Sequence, residues 1–201
     1  MWSIQQIEDF IYASGSDHVP TFGGKYEGGI QCQQIADEIA PCFHYLLSNG
    51  PIKDYLEVGV AAGGTTYAVA KILKPERIVL VDDNRHPKAH VRPYILDGIE
   101  RKEIIGDSHN PDTVKRVRGQ FDVLFIDGDH SYVGAKADFE NFFPLVRAGG
   151  HIILHDTAVP TIGVMQLFNE LKTDPRVEFI AEYVTEKQDN PCGVGVFKKC
   201  E

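Results

Sequence analysis

The chain has 201 residues, 43% of them hydrophobic, enough to bury one sizeable core and too few for two full domains. Asp and Glu outnumber Lys and Arg 29 to 20, a formal charge of -9, so nothing attracts the chain broadly to phosphate backbones or anionic membranes, and nucleic acid is not an expected partner. The first residues form neither a basic nor an apolar leader and no stretch approaches the ~18 apolar residues of a membrane span, so a cytoplasmic protein is expected.

Residues 1–50 read as an N-terminal lid and helical extension of a domain spanning 51–201. Segments 14–17 and 22–29 are loop-like, and a helix is predicted from about 31 to 47, ended by Asn49-Gly50-Pro51. From residue 53 short apolar runs alternate with amphipathic ones, the pattern of strands separated by crossover helices. The predicted strands are 55–58, 77–81, 103–105, 121–126, 151–154, 177–183 and 193–197. Helical spacing marks 65–73, 111–118, 134–146 and 161–172, with Gly149-Gly150 read as a helix exit. The last two strands are joined by 185–192, too short for a helix, so they should form an antiparallel hairpin. The fold class is α/β: a seven-stranded, mostly parallel sheet with helices on both faces. The four cysteines, Cys32, Cys42, Cys192 and Cys200, form no Cys-x-x-Cys pair and read as free thiols.

The first strand runs into Glu57-Val58-Gly59-Val60-Ala61-Ala62-Gly63-Gly64-Thr65. Gly59 and Gly63 permit positive φ and remove a Cβ, so a ligand can lie against the backbone at the carboxyl end of the sheet. Their spacing departs from G-x-G-x-x-G, whose amides cradle a pyrophosphate. Glu57 instead offers an acceptor for an ammonium group. The second strand ends in Asp82-Asp83, where a carboxylate can take both hydroxyls of a ribose. The third ends in Gly106-Asp107-Ser108, in register for an adenine edge. A tight turn without a ligand is the plain alternative for the glycines alone; the three strand ends together favour a nucleoside cofactor.

The fourth strand leads into Asp127-Gly128-Asp129-His130-Ser131-Tyr132 and the fifth into His155-Asp156-Thr157. If these strands are neighbours, Asp127, His155 and Asp156 converge, and like charges so close favour a bound cation or raised pKa values. Carboxylates with one imidazole suit Mg, Mn or Fe. The competing reading is that both acids cap loops. His44, His86, His90, His109 and His151 lack such company and read as surface or packing residues.

These runs resemble class I S-adenosylmethionine-dependent methyltransferases over about residues 30–198. The nearest branch is the small bacterial O-methyltransferase-like group that also includes proteins labelled cephalosporin hydroxylase. The resemblance implies a Rossmann-like sheet, S-adenosylmethionine on Glu57, Gly59, Gly63, Thr65, Asp82, Asp107, Ser108 and Asp127, and a small-molecule hydroxyl as methyl acceptor, with a homodimer as the family-level expectation. Related catechol-type enzymes hold a divalent cation on an Asp after the fourth strand, matched by Asp127, and on an Asp-Asn pair after the fifth, where this chain has His155-Asp156. They place a basic lysine three residues past the first Asp; here that position is His130, the expected general base. The segment from 22 to 33 is similar to their flexible cover. Three rivals stay open: a nicotinamide-dependent oxidoreductase, an iron-dependent hydroxylase using His130, His155 and a carboxylate, and a non-catalytic domain of the same fold.

Overall fold

The computed structural model describes residues 1–15, 29–187 and 189–201. Seven strands form one sheet: β1 (Asp54–Val58), β2 (Arg77–Asp82), β3 (Lys102–Ile105), β4 (Phe121–Ile126), β5 (Val146–His155), β6 (Val177–Tyr183) and β7 (Val194–Lys199). Their spatial order is β3-β2-β1-β4-β5-β7-β6. The first five pair in parallel, whereas β7 runs antiparallel to both β5 and β6. The helices are α1 (Ile4–Ser14), α2 (Ala36–Ser48), α3 (Gly64–Ile72), α4 (Arg92–Ile95), α5 (Pro111–Val114), α6 (Tyr132–Phe142) and α7 (Val164–Leu171).

The central strands are apolar on both sides because both faces are covered. Tyr55, Ile78, Leu80, Val123 and Phe125 enter one core with Ile7 of α1, Ile39 of α2 and Val69 of α3. The alternate residues Leu56, Val79, Val81, Leu124 and Ile126 enter a second with Phe139 of α6 and Phe168 of α7. The described part of residues 1–50 therefore shares a core with the sheet. No helix among the described residues is long and apolar enough to cross a membrane.

Several expected boundaries shift. The predicted helix 31–47 begins only at Ala36, and 111–118 contracts to the single turn α5. The helix predicted over 134–146 stops at Phe142, giving way to a 3-10 turn at 143–145. Gly149-Gly150 is not a helix exit, because β5 already starts at Val146. The glycines sit instead in a β-bulge, where pairing jumps from Phe121 opposite Val146 to Val123 opposite His151 and Gly149 adopts φ +72°. Helix α1 was not expected. Its signal was the reciprocal capping of Ser3 and Gln6, in which Gln6 N donates to Ser3 Oγ and Ser3 N donates to Gln6 Oε1.

The topology positions the site. After β1 the chain builds β2 and β3 on one side, then crosses to β4 on the other, so the carboxyl ends of β1 and β4 flank the crevice where open α/β sheets bind ligands. At this point the backbones nearly touch. Gly59 has φ +82°, and a Cβ there would overlap the Asp127 carbonyl.

Candidate active site

A cavity of about 630 Å³ opens at these strand ends, within the usual range for a small-molecule or cofactor site. Its wall includes Gly59, Thr65, Asp82, Asp107, Ser108, Asp127, His130, His155 and Asp156. Residues from separate strand ends thus share one space. Glu57 and Gly63 are not part of that wall. Of the cover segment, residues 22–28 lie outside the described residues, whereas Gln31 and Gln33 line the cavity.

Glu57 alternates onto the same sheet face as Tyr55 and is 1% exposed. Its Oε2 accepts hydrogen bonds from Tyr55 Oη at 2.9 Å and from Thr66 Oγ1 at 2.8 Å. Burial pushes its pKa up to about 8, against the stabilising hydroxyls. It is therefore a carboxyl group under the glycine turn, ready to ionise when a positive charge arrives above it.

Asp82 organises the turn itself. Its Oδ2 accepts from the amides of Val60 (2.7 Å) and Ala61 (3.1 Å), and its Oδ1 accepts from Asn84 N (2.7 Å). Arg92 of α4 places Nη2 2.6 Å from the same Oδ1, while its Nε donates to Ala61 O and its Nη1 to Asn84 Oδ1. Arg92 is 2% exposed. Burial raises the Asp82 pKa, but the Arg92 guanidinium and the Val60 amide outweigh it, so the group stays ionised. Nothing in the sequence pattern marked Arg92.

On the other side of the crevice, His155 Nδ1 lies 3.2 Å from Asp127 Oδ1 and 3.4 Å from Asp156 Oδ2. His130 bridges the same acids, with Nε2 3.3 Å from Asp127 Oδ1 and Nδ1 3.4 Å from Asp156 Oδ2. Gln34 Nε2 donates to Asp127 Oδ2 at 2.9 Å. Asp156 reaches its place through a left-handed backbone, φ +63°, a conformation that Asp tolerates better than most residues. The expectation of raised acid pKa values is not met at Asp127. Burial pushes it up, but the imidazoles of His155 and His130 hold it far below the usual carboxylate range. The Asp127 carboxylate in turn raises both histidines, that of His155 against its own desolvation. In the unliganded protein the imidazoles and carboxylates thus favour one another's charged forms, an effect that a cation bound among the acids would replace.

Two further residues joined the site unannounced. Asp138 on α6 is wholly buried, with Oδ1 3.2 Å from His109 Nε2, and His109 lines the cavity. His109, read as a surface or packing residue, thus links the cavity wall to a buried acid, and His86 of the same group also lines the cavity. The available signal was an acid on the apolar face of α6, between Ala135 and Phe139. Cys192 also lines the cavity. Cys32 and Cys42 are buried thiols outside the cavity wall, Cys32 lying behind it against Thr65 with its thiol pushed up to about 12 by burial.

The donors present suit a divalent cation. Among the described residues, the ligating atoms of Asp127, His130 and Asp156 lie within 4.8 Å of one another, as do those of His155, Asp156 and Cys192. His155 contributes a buried Nε2 that makes no hydrogen bond of ordinary geometry among the described residues. Nitrogen and oxygen donors at these separations fit a metal of intermediate hardness.

Residues 56–157 match a family model described as a methyltransferase domain. An uncharacterised protein of Acanthamoeba polyphaga mimivirus is 27% identical over 128 residues, 57% of this chain and 58% of that protein, so the match spans little more than half of the relative's length. An O-methyltransferase from Bacillus cereus, solved with S-adenosylhomocysteine, superimposes with a TM-score of 0.64 at 18% identity, covering 79% of each chain. An O-methyltransferase from Streptomyces achromogenes involved in tomaymycin synthesis, solved with S-adenosylmethionine, gives 0.64 at 18% identity over 81% of each. An N-methyltransferase from Bradyrhizobium japonicum, solved with S-adenosylhomocysteine, gives 0.60 at 17% identity, covering 80% of this chain and 87% of that one. At these identities the superpositions establish the Rossmann-like fold.

Proposed function

Because the chain belongs to the methyltransferase-domain family, we propose that it is an S-adenosylmethionine-dependent enzyme that methylates a hydroxyl oxygen of a small molecule with the help of a divalent cation. The observation that carries this reading is the contact of Gly59 with Asp127, which makes the glycine turn and the Asp127–His130–His155–Asp156 cluster two walls of one cavity. A cofactor on the turn would then have its reactive end beside the cluster.

The cofactor supplies an electrophilic methyl group on a sulfonium sulfur, which leaves as a thioether when an oxygen lone pair displaces it, and a cation would lower the pKa of that oxygen. The chain's own residues do the rest. The Gly59–Gly63 turn, held by Asp82 and Arg92, presents a fixed backbone surface to the nucleoside. Asp82 would face the ribose, and Asp107 and Ser108 the adenine, since all three line the cavity. Glu57, which keeps its proton at neutral pH in the unliganded protein, would supply negative charge from beneath the floor by ionising once the cofactor's amino group is bound. Asp127, His155 and Asp156 would hold the cation, Mg, Mn or Fe. His130, at the open side of the cluster, takes the acceptor proton. Holding the acceptor oxygen ~3 to 3.5 Å from the methyl carbon in line with the C–S bond is the largest service such a site can render.

A cavity of about 630 Å³ for cofactor and acceptor together supports a small acceptor. Anomalous scattering at the manganese edge tests the metal. Crystals grown with excess Mn at neutral pH should show a peak between Asp127, His155 and Asp156, and an empty cluster would overturn metal assistance.

A further inference from the structure

The loop before β7 brings a sulfur atom to this cluster. Cys192 lies between two anchors: its carbonyl accepts from Ala158 N at 2.8 Å, and the next residue, Gly193, donates its amide to Glu38 Oε2 at 2.8 Å. Glu38, fully buried on α2, also accepts from Thr185 N through Oε1 at 3.1 Å. One carboxylate thus clamps both ends of the loop and fixes the Cys192 backbone where its side chain lines the cavity.

Beside it stands His155, 6% exposed, with Nδ1 near the two carboxylates and its ring in side-chain contact with the Cys192 thiol. That thiol is the ring's hydrogen-bonding neighbour there, a weak partner for a buried imidazole nitrogen, so the two groups can instead share a ligand. The ligating atoms of His155, Asp156 and Cys192 all lie within 4.8 Å of one another. A thiol in this position changes which metal the site selects: sulfur and imidazole favour zinc-class ions, whereas magnesium takes oxygen ligands almost alone.

We propose that His155, Asp156 and Cys192 form a nitrogen–oxygen–sulfur metal site that takes zinc, or another borderline divalent ion, in preference to magnesium. The proposal rests on the metal-assisted reading for the metal's role and revises it in two respects, putting Cys192 in the place of Asp127 as third ligand and a zinc-class ion in the place of magnesium. Three protein donors are the number used by catalytic zinc sites, which keep a fourth position open. The carboxylate of Asp156 belongs to both ligand groups, so the metal would sit at the edge of the cluster facing the β7 loop rather than centrally between Asp127 and His130.

Cobalt(II) reports the ligand set directly, because a cobalt–thiolate bond produces an intense near-ultraviolet charge-transfer band. Metal-free protein is titrated with Co²⁺ for the wild type, Cys192→Ser and Cys200→Ser, with circular dichroism confirming that each is folded. The band should appear at one equivalent in the wild type and in Cys200→Ser and be lost in Cys192→Ser. One equivalent of Zn²⁺ should displace the cobalt, and a large excess of Mg²⁺ should not. Cobalt binding to the wild type without the band, a band that persists in Cys192→Ser, displacement by Mg²⁺, or no cobalt binding would each overturn the proposal. S-adenosylhomocysteine binding, measured on the same samples, reports separately on the methyltransferase reading.

Discussion

Replacing Glu57 by Gln should stabilise the protein, and increasingly so as the pH rises. The carboxyl group is wholly buried and its folded-state pKa is about 8, against 4.5 for the free side chain. Between these values the native state keeps a proton that the unfolded chain has released, so stability falls as pH rises, by at most about 1.4 kcal/mol per pH unit. At pH 7 the native state carries a penalty on the order of 3 kcal/mol, nearly absent at pH 4.5 and still growing towards pH 8. Gln keeps the shape and the carbonyl that accepts from Tyr55 and Thr66 but has no proton to lose. The difference between the two proteins isolates this one group, because the histidines of the acid cluster titrate in both. For a chain of this size, ~3 kcal/mol corresponds to roughly 6 to 12 °C in Tm. Thermal unfolding from pH 5 to pH 9 should therefore show curves that meet at the acid end and diverge at the basic end, the variant lying higher. Parallel curves would refute the buried, proton-holding carboxyl.

Asp82→Ala should lower S-adenosylhomocysteine affinity by ~1.5 to 3 kcal/mol, the scale of a lost charge-assisted hydrogen bond. It should also cost about 3 kcal/mol in urea unfolding, because Arg92 is left buried without its 2.6 Å partner; unchanged values in both experiments would remove Asp82 from the site. His130→Ala should leave cofactor affinity intact and lower turnover by ~10² to 10⁴, the usual share of general acid–base catalysis. Near-normal turnover would leave the metal alone to activate the hydroxyl.

The sheet was readable because each of its inner strands is a short apolar run flanked by glycine or acid, and because 185–192 leaves no space for a crossover. The bulge at Gly149-Gly150 was not, since two glycines after a helical pattern look the same whether the chain ends a helix or bends a strand. Parallel strands have a further consequence for function: their carboxyl ends all face one way, so Asp82, Asp107, Asp127 and His155 had to meet at one edge. Spacing therefore exposed the strand-end residues. What it hid came from elements whose approach depends on tertiary packing. Arg92 arrives from a four-residue helix, Cys192 from the hairpin loop, and Gln34 from a segment far from β4 in sequence. Glu57 shows another limit. Its position at the end of β1 suggested direct contact with a ligand, but strand alternation turns it under the floor towards Tyr55 and Thr66.

Isothermal titration of the protein with S-adenosylhomocysteine, with NADH as the comparison ligand, tests the central claim most directly. The account predicts saturable one-to-one binding of S-adenosylhomocysteine and no saturable heat from NADH, since the Gly59-x-x-x-Gly63 turn provides no pyrophosphate cradle. Binding of NADH with no response to S-adenosylhomocysteine would contradict it.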